Sequence, residues 1–132
     1  ALYNPHLRVE ALLTSINGHY QRVSMHGVRL ELLRQLAQRI GLPLALLELP
    51  EAPDMPTYEA RMRATLAPLQ AQGITHAVFG DLHLHDLRRY REQQLAQVGL
   101  QAVFPLWQRP NPEILQQYLS LGFRAVVVCV NE

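Results

Sequence analysis

The chain reads as an α/β domain of Rossmann-like architecture, a mainly parallel sheet layered between helices. Three observations carry this expectation. Short apolar runs alternate with amphipathic stretches along the chain. The apolar runs lack the polar alternation of strands with one face in water, so helices should cover both of their faces. Glycine or proline stands at most junctions between the two patterns. Strands separated by crossover helices pair in parallel, and 132 residues suit one domain with one core.

The elements follow in order. Arg8–Ile16 reads as a strand. Val28–Ile40 reads as a helix, because Leu32, Leu33, Leu36, Ala37 and Ile40 recur at the helical period before Gly41 and Pro43. Leu44–Leu49 is a second strand, and Pro50–Pro56 a proline-rich loop. Thr57 is placed to cap a helix reaching about Gln72, with Tyr58, Met62, Leu66 and Leu69 inward and Gly73 as its stop. His76–Asp81 is a third strand. Asp86 is placed to cap the next helix, whose stripe is Leu87, Tyr90, Gln94, Leu95 and Val98, ending at Gly99. Gln101–Leu106 is a fourth strand. Asn111-Pro112-Glu113 has a capping amide, a proline suited to a first turn and an acid at the positive dipole end, so a helix runs from there to Gly122. Arg124–Val130 is a fifth strand. Ligands of such sheets bind beyond the carboxyl ends of the strands. The expected rim is therefore Thr14–Asn17, Gly80–Asp81, Leu106–Trp107 and Asn131–Glu132.

Composition narrows the chemistry. The formal net charge is only +1, without the basic excess of a nucleic-acid binder. With no signal peptide and no apolar run long enough to cross a membrane, a cytoplasmic location is expected. All 12 basic residues are arginine, which removes Schiff-base and phosphate-loop lysine chemistry. Cys129 is the sole cysteine, set in the apolar run Ala125–Val130, so no intrachain disulfide or cysteine zinc site is possible and a buried hydrophobe is expected.

Four motifs carry chemistry beside an ordinary structural alternative. Phe79-Gly80-Asp81 places a carboxylate at a strand end, and Asp86-Leu87-Arg88-Arg89-Tyr90-Arg91-Glu92 puts Arg88 and Arg91 on one helix face, able to hold a phosphate or carboxylate. The alternative is a turn glycine and a solvated helix. Ser24-Met25-His26-Gly27-Val28-Arg29 precedes a helix whose free amides attract anions, or it simply caps that helix. His83-Leu84-His85-Asp86 could start a metal site, but local partners at suitable spacing are missing and loop histidines are the expectation. Trp107, after Phe104-Pro105-Leu106, either walls a pocket or closes the core.

In that order these segments resemble the diphthine–ammonia ligase family, from about Leu12 to Val130. The family belongs to the PP-loop ATP pyrophosphatases, with an adenine nucleotide alpha hydrolase-like (HUP-type) fold, a three-layer αβα sandwich. The resemblance implies an adenine-nucleotide-binding domain over residues 1–132. It also implies activation of a carboxylate by ATP with magnesium, then displacement of AMP by ammonia to give an amide. The family's known substrate is diphthine, on elongation factor 2. Gly80 and Asp81 would border the nucleotide and its metal, Thr14 and Ser15 the adenine or ribose, with Met25 and His26 nearby. Arg88, Arg91 and Glu92, with Asp81, would face the reacting groups, and Leu106 and Trp107 the substrate. The implied partners are ATP and a carboxylate, free or protein-borne; a homodimer is left open.

The family's Ser-Gly-Gly-x-Asp-Ser phosphate loop does not occur in this sequence, nor does the family's later motif. The chain is therefore expected to be a piece truncated at both ends, inactive alone, lacking a central strand. Two other readings stay open: a non-catalytic nucleotide-binding module of universal-stress type, and a metal-dependent hydrolase using His83 and His85.

Overall fold

The computed structural model describes residues 4–24 and 26–127. In chain order the elements are β1 (Leu12–Asn17), β2 (Arg22–Val23), α1 (Leu30–Ile40), β3 (Leu44–Leu49), α2 (Met55–Ala71), β4 (His76–Val78), α3 (His85–Gln97), β5 (Gln101–Val103) and α4 (Asn111–Ser120). The protein is mixed α/β, with small, mainly parallel sheets.

Two parallel pairs, each with a crossover helix, form the skeleton. β1 pairs with β3 from Leu12↔Leu44 to Asn17↔Leu49. β4 pairs with β5 from His76↔Gln101 to Val78↔Val103. The expected single sheet of five parallel strands is not what forms. The described residues make one sheet of order β2-β1-β3 and a separate β4-β5 sheet. β2, absent from the sequence expectation, returns antiparallel onto the end of β1, with Ile16 opposite Val23 and Asn17 opposite Arg22. That return occupies the edge of β1 that another parallel strand would need.

Boundaries shift for local reasons. Arg8–Ala11 lie outside β1, because its ladder begins where the Leu12 amide meets the Pro43 carbonyl at 2.9 Å, and Pro43 has no N–H to extend it. β4 stops at Val78 rather than Asp81, although the Phe79 amide still donates to Val103 at 2.9 Å. β5 stops before Pro105. Arg124–Val127 form no strand: no described neighbour offers a ladder, and Val126 is 85% exposed. Residues 128–130, with Cys129, and the rim residues Asn131–Glu132 lie outside the described residues.

Helix starts move too. α1 begins at Leu30 rather than Val28, because the Val23 amide donates to Val28 at 2.7 Å and holds that segment extended, with Gly27 at φ 67° turning the corner. α2 is capped by Asp54, not Thr57: Asp54 Oδ1 accepts the Thr57 amide at 2.8 Å, and Pro56 fits the first turn. That bond holds the Asp54 carboxyl below its ordinary range. Asp86 sits in the first turn of α3, where its charge suits the dipole, and is not the cap.

The main core joins α2, α3 and β5. Leu66, Leu95 and Leu100 are buried together, with Met62, Leu69, Ala77, Phe79, Val98 and Ala102 against them. Each buried leucine contributes about 1.5–3 kcal/mol, so this cluster fixes α3 over β4 and β5. Ile16 and Leu47 are the fully buried residues of the first sheet. α1 buries Leu30 and Ala37, but Leu32, Leu36 and Ile40, expected inward, are exposed; the narrow sheet beneath α1 leaves them nothing to cover.

Candidate functional site

The site grows from the carboxyl ends of β4 and β5. Gly80 lets the chain turn out of β4, and Asp81 follows on the rim. α3 is pinned by Leu95, so its half-buried face presents Arg88 and Arg91 to the same end, while Arg89 points to solvent.

Arg91 Nε stands 2.8 Å from Asp81 Oδ2, and its guanidinium lies 4.4 Å over the Phe79 ring. Both atoms are shielded from solvent, and neither makes an aligned hydrogen bond, so the contact is one of opposed charges. Arg88 lies 4.8 Å from the Phe104 ring and 4.7 Å from that of Trp107, and its Nε donates to Glu92 Oε1 at 2.9 Å. The aromatic support is continuous. Phe79 stacks on Phe104 at 5.4 Å, Trp107 meets Phe104 edge-on at 5.9 Å, and His85 meets Trp107 at 5.0 Å. Each cation–ring contact contributes about 0.5–2 kcal/mol. An anion approaching Arg88 or Arg91 must compete with Glu92 or Asp81.

Tyr90, on the same helix, turns its hydroxyl into a shielded position without a hydrogen-bond partner. Burial pushes that hydroxyl's pKa up, and the nearby Glu59 and Tyr58 add to the effect.

The other expected site residues gather on the first sheet. Thr14 and Ser15 are half-buried on β1, and the Ser15 carbonyl accepts the Ser24 amide at 2.9 Å. His26 follows, exposed, and Met25 lies outside the described residues. The expected nucleotide residues are therefore divided: Thr14 and Ser15 on β1 with His26 in the turn after β2, and Gly80 and Asp81 beyond the end of β4 in the other sheet.

An open cavity of about 600 Å³ lies at the ends of β4 and β5, lined by Val78, Phe79, Gly80, Leu106, Arg109 and Gln117 among others. Leu106 thus faces a cavity, whereas Trp107 turns away to cover Arg88. Arg109 was not singled out by the sequence; its position two residues beyond Trp107, on the rim after a strand, was the available signal. A shallower cavity of about 480 Å³ at the start of α1 carries Arg22, Arg29 and Arg34.

For metal chemistry, His83 Nε2 lies 3.3 Å from Asn111 Oδ1, while His85 packs on Trp107. The two histidines do not converge, and among the described residues no three His, Cys, Asp or Glu side chains form a cluster. Magnesium takes one or two protein carboxylates when phosphate oxygens share it; at this strand end the carboxylate present is Asp81, paired with Arg91. Among the described residues no helix is long and apolar enough to cross a membrane.

Comparison with protein-family models, with curated proteins and with solved structures finds no match to this chain.

Proposed function

We propose that this chain is the nucleotide-binding core of an ATP-dependent, amide-forming ligase of the diphthine–ammonia ligase type. The observation that carries the proposal is the 2.8 Å pairing of Arg91 with Asp81. It brings together, at one strand end, two of the four segments that carry the sequence resemblance. The cavity beside Gly80 and Leu106 supports it, since open α/β sheets bind ligands at this end.

On this reading the two sheets are parts of one three-layer sandwich, completed by a strand bearing a phosphate loop that pairs elsewhere than on β1, whose two edges β2 and β3 fill. Thr14, Ser15, Met25 and His26 serve the adenosine side, and Gly80 and Asp81 the phosphates. Asp81 would hold magnesium, which supplies charge neutralisation at the phosphate oxygens. Arg88 with Glu92, and Arg91 with Asp81, form two ion pairs at the strand ends, and Arg91 holds the Asp81 carboxylate in place. Leu106 borders the carboxylate substrate, while Trp107, which covers Arg88, does not. The substrate carboxylate attacks the α-phosphorus and expels pyrophosphate. Ammonia then attacks the acyl carbon and expels AMP, leaving an amide.

Calorimetric titration of magnesium-ATP into the protein of the complete reading frame tests this. Asp81→Asn should weaken binding at least about fivefold, since a charged contact is worth about 1–3 kcal/mol, while thermal unfolding remains cooperative. Unchanged affinity makes Asp81 structural and removes the proposal's support.

A further inference from the structure

Arg88 and Arg91 of α3 already have acidic partners and Arg89 faces solvent, so they are poor candidates for holding a substrate anion. Arg109 differs. Among the described residues the ion pairs are Arg8–Glu10, Arg88–Glu92 and Arg91–Asp81, and Arg109 has no acidic partner. Its Nη1 donates to Gln117 Oε1 at 3.0 Å. A neutral amide orients the guanidinium without cancelling its charge, and the other donors of the fork stay available for a planar anion.

The loop carrying Arg109 is built rather than slack. Gln108 has φ 57°, a left-handed conformation that strains a non-glycine residue. It is held there because its amide donates to the Leu82 carbonyl at 2.9 Å, tying this loop to the one after β4. The Arg109 amide donates to Leu106 at 3.1 Å and closes the turn. The strained turn sets Arg109 on the wall of the cavity of about 600 Å³, otherwise lined largely by Val78, Phe79, Pro105, Leu106 and Leu121. That volume lies within the range of small-molecule sites, about 300–1,000 Å³.

We infer that Arg109, oriented by Gln117, is the anchor for an organic carboxylate whose apolar body lies against Phe79, Leu106 and Leu121. A carboxylate matches the planar fork of arginine, and the apolar walls favour an aliphatic or aromatic body over a bare inorganic anion. The inference rests on the proposed ligase reading, in which a carboxylate is a substrate, and places that substrate's head at Arg109 rather than at Arg88 or Arg91.

The test uses the 132-residue chain, isotope-labelled, titrated with phenylacetate and followed by amide shifts of Gly80, Leu106 and Gln117. Phenylacetate should shift these amides saturably, phenylacetamide should bind at least about tenfold more weakly, and Arg109→Ala should lose a similar factor, as expected for one charge-assisted contact. Arg109→Lys should recover only part, and Arg89→Ala, on the solvent face of α3, should leave the affinity unchanged. The spectrum of each variant shows that it folds. Equal binding of amide and acid, equal binding to wild type and Arg109→Ala, or displacement by inorganic phosphate at the same concentration overturns the inference. Magnesium-ATP and phenylacetate titrations into the protein of the complete reading frame separate the two claims. Loss of nucleotide binding with phenylacetate binding intact defeats the ligase reading alone; intact nucleotide binding with Arg109-independent phenylacetate binding defeats this inference alone.

Discussion

Arg91 reaches back from α3 to Asp81 beyond β4, Nε to Oδ2 at 2.8 Å, with its guanidinium on the Phe79 ring. The two side chains are only 27% and 19% exposed, so each is the principal compensation for the other's lost hydration. Arg91→Ala strands the Asp81 carboxylate and removes a cation–ring contact; it should cost about 1–3 kcal/mol in urea unfolding. Arg89→Ala, on the solvent face, should stay within about 0.5 kcal/mol. Equal effects would make the Asp81–Arg91 contact incidental.

Arg88 should not tolerate lysine. The planar guanidinium lies against Phe104 and Trp107 and bonds Glu92; an ammonium stacks poorly and donates without the fork. Trp107 is the only tryptophan, so its fluorescence reports directly. Arg88→Lys should shift the emission to the red and lower stability by about 1 kcal/mol. An unchanged spectrum would contradict the stacked arrangement.

The cap of α2 gives a pH dependence of known sign. The Asp54 carboxyl is held below its ordinary value by the Thr57 amide bond. A depressed folded pKa contributes stability above the unfolded value, about 3.9, and that stability is lost as pH falls through the folded value. Asp54→Asn keeps a capping side chain but does not titrate. The difference in melting temperature between wild type and Asp54→Asn should therefore be flat above about pH 5 and change below it. A constant difference down to pH 2 would show that the cap does not discriminate protonation.

Tyr90 titrates in the opposite sense. Burial first, then Glu59 and Tyr58, raise its hydroxyl pKa. A raised folded value means the native state resists ionisation, so its contribution is intact below about pH 10 and is lost at higher pH. Because the hydroxyl has no partner, Tyr90→Phe should change stability by less than about 1 kcal/mol at pH 7 and should blunt the alkaline loss. A larger cost would reveal a hydrogen bond to that hydroxyl.

Much of the second unit was legible in the sequence. The inward set Met62, Leu66, Leu69, Leu95 and Val98 follows the helical period and packs as the period requires. The shared face of Arg88 and Arg91 follows from three-residue spacing. Leu44–Leu49 forms the strand its apolar run describes. The failures have physical causes. Val28 fits a helical stripe but is held extended by its bond to Val23, a pairing of residues too close in sequence for periodicity to reveal. Leu32, Leu36 and Ile40 follow the same period, but periodicity does not say whether a surface exists to receive them. Thr57 and Asp54 are both good caps, and the proline two residues after Asp54 decides between them. That Arg91 would find Asp81, while Arg109 would find no acid among the described residues, depends on tertiary placement that spacing alone does not encode.

The most direct test of the ligase account is pyrophosphate release from magnesium-ATP, measured with and without added carboxylates and ammonia on the protein of the complete reading frame. The account predicts that this frame supplies a strand with a Ser-Gly-Gly-x-Asp-Ser-type loop. It predicts pyrophosphate and AMP only when a carboxylate is present, at least about tenfold slower in Asp81→Asn, as for loss of a charge in contact with the phosphates. Residues 1–132 alone, which hold no such loop, should be silent. Absence of carboxylate-dependent release from the complete protein, or full turnover by residues 1–132 alone, would contradict it.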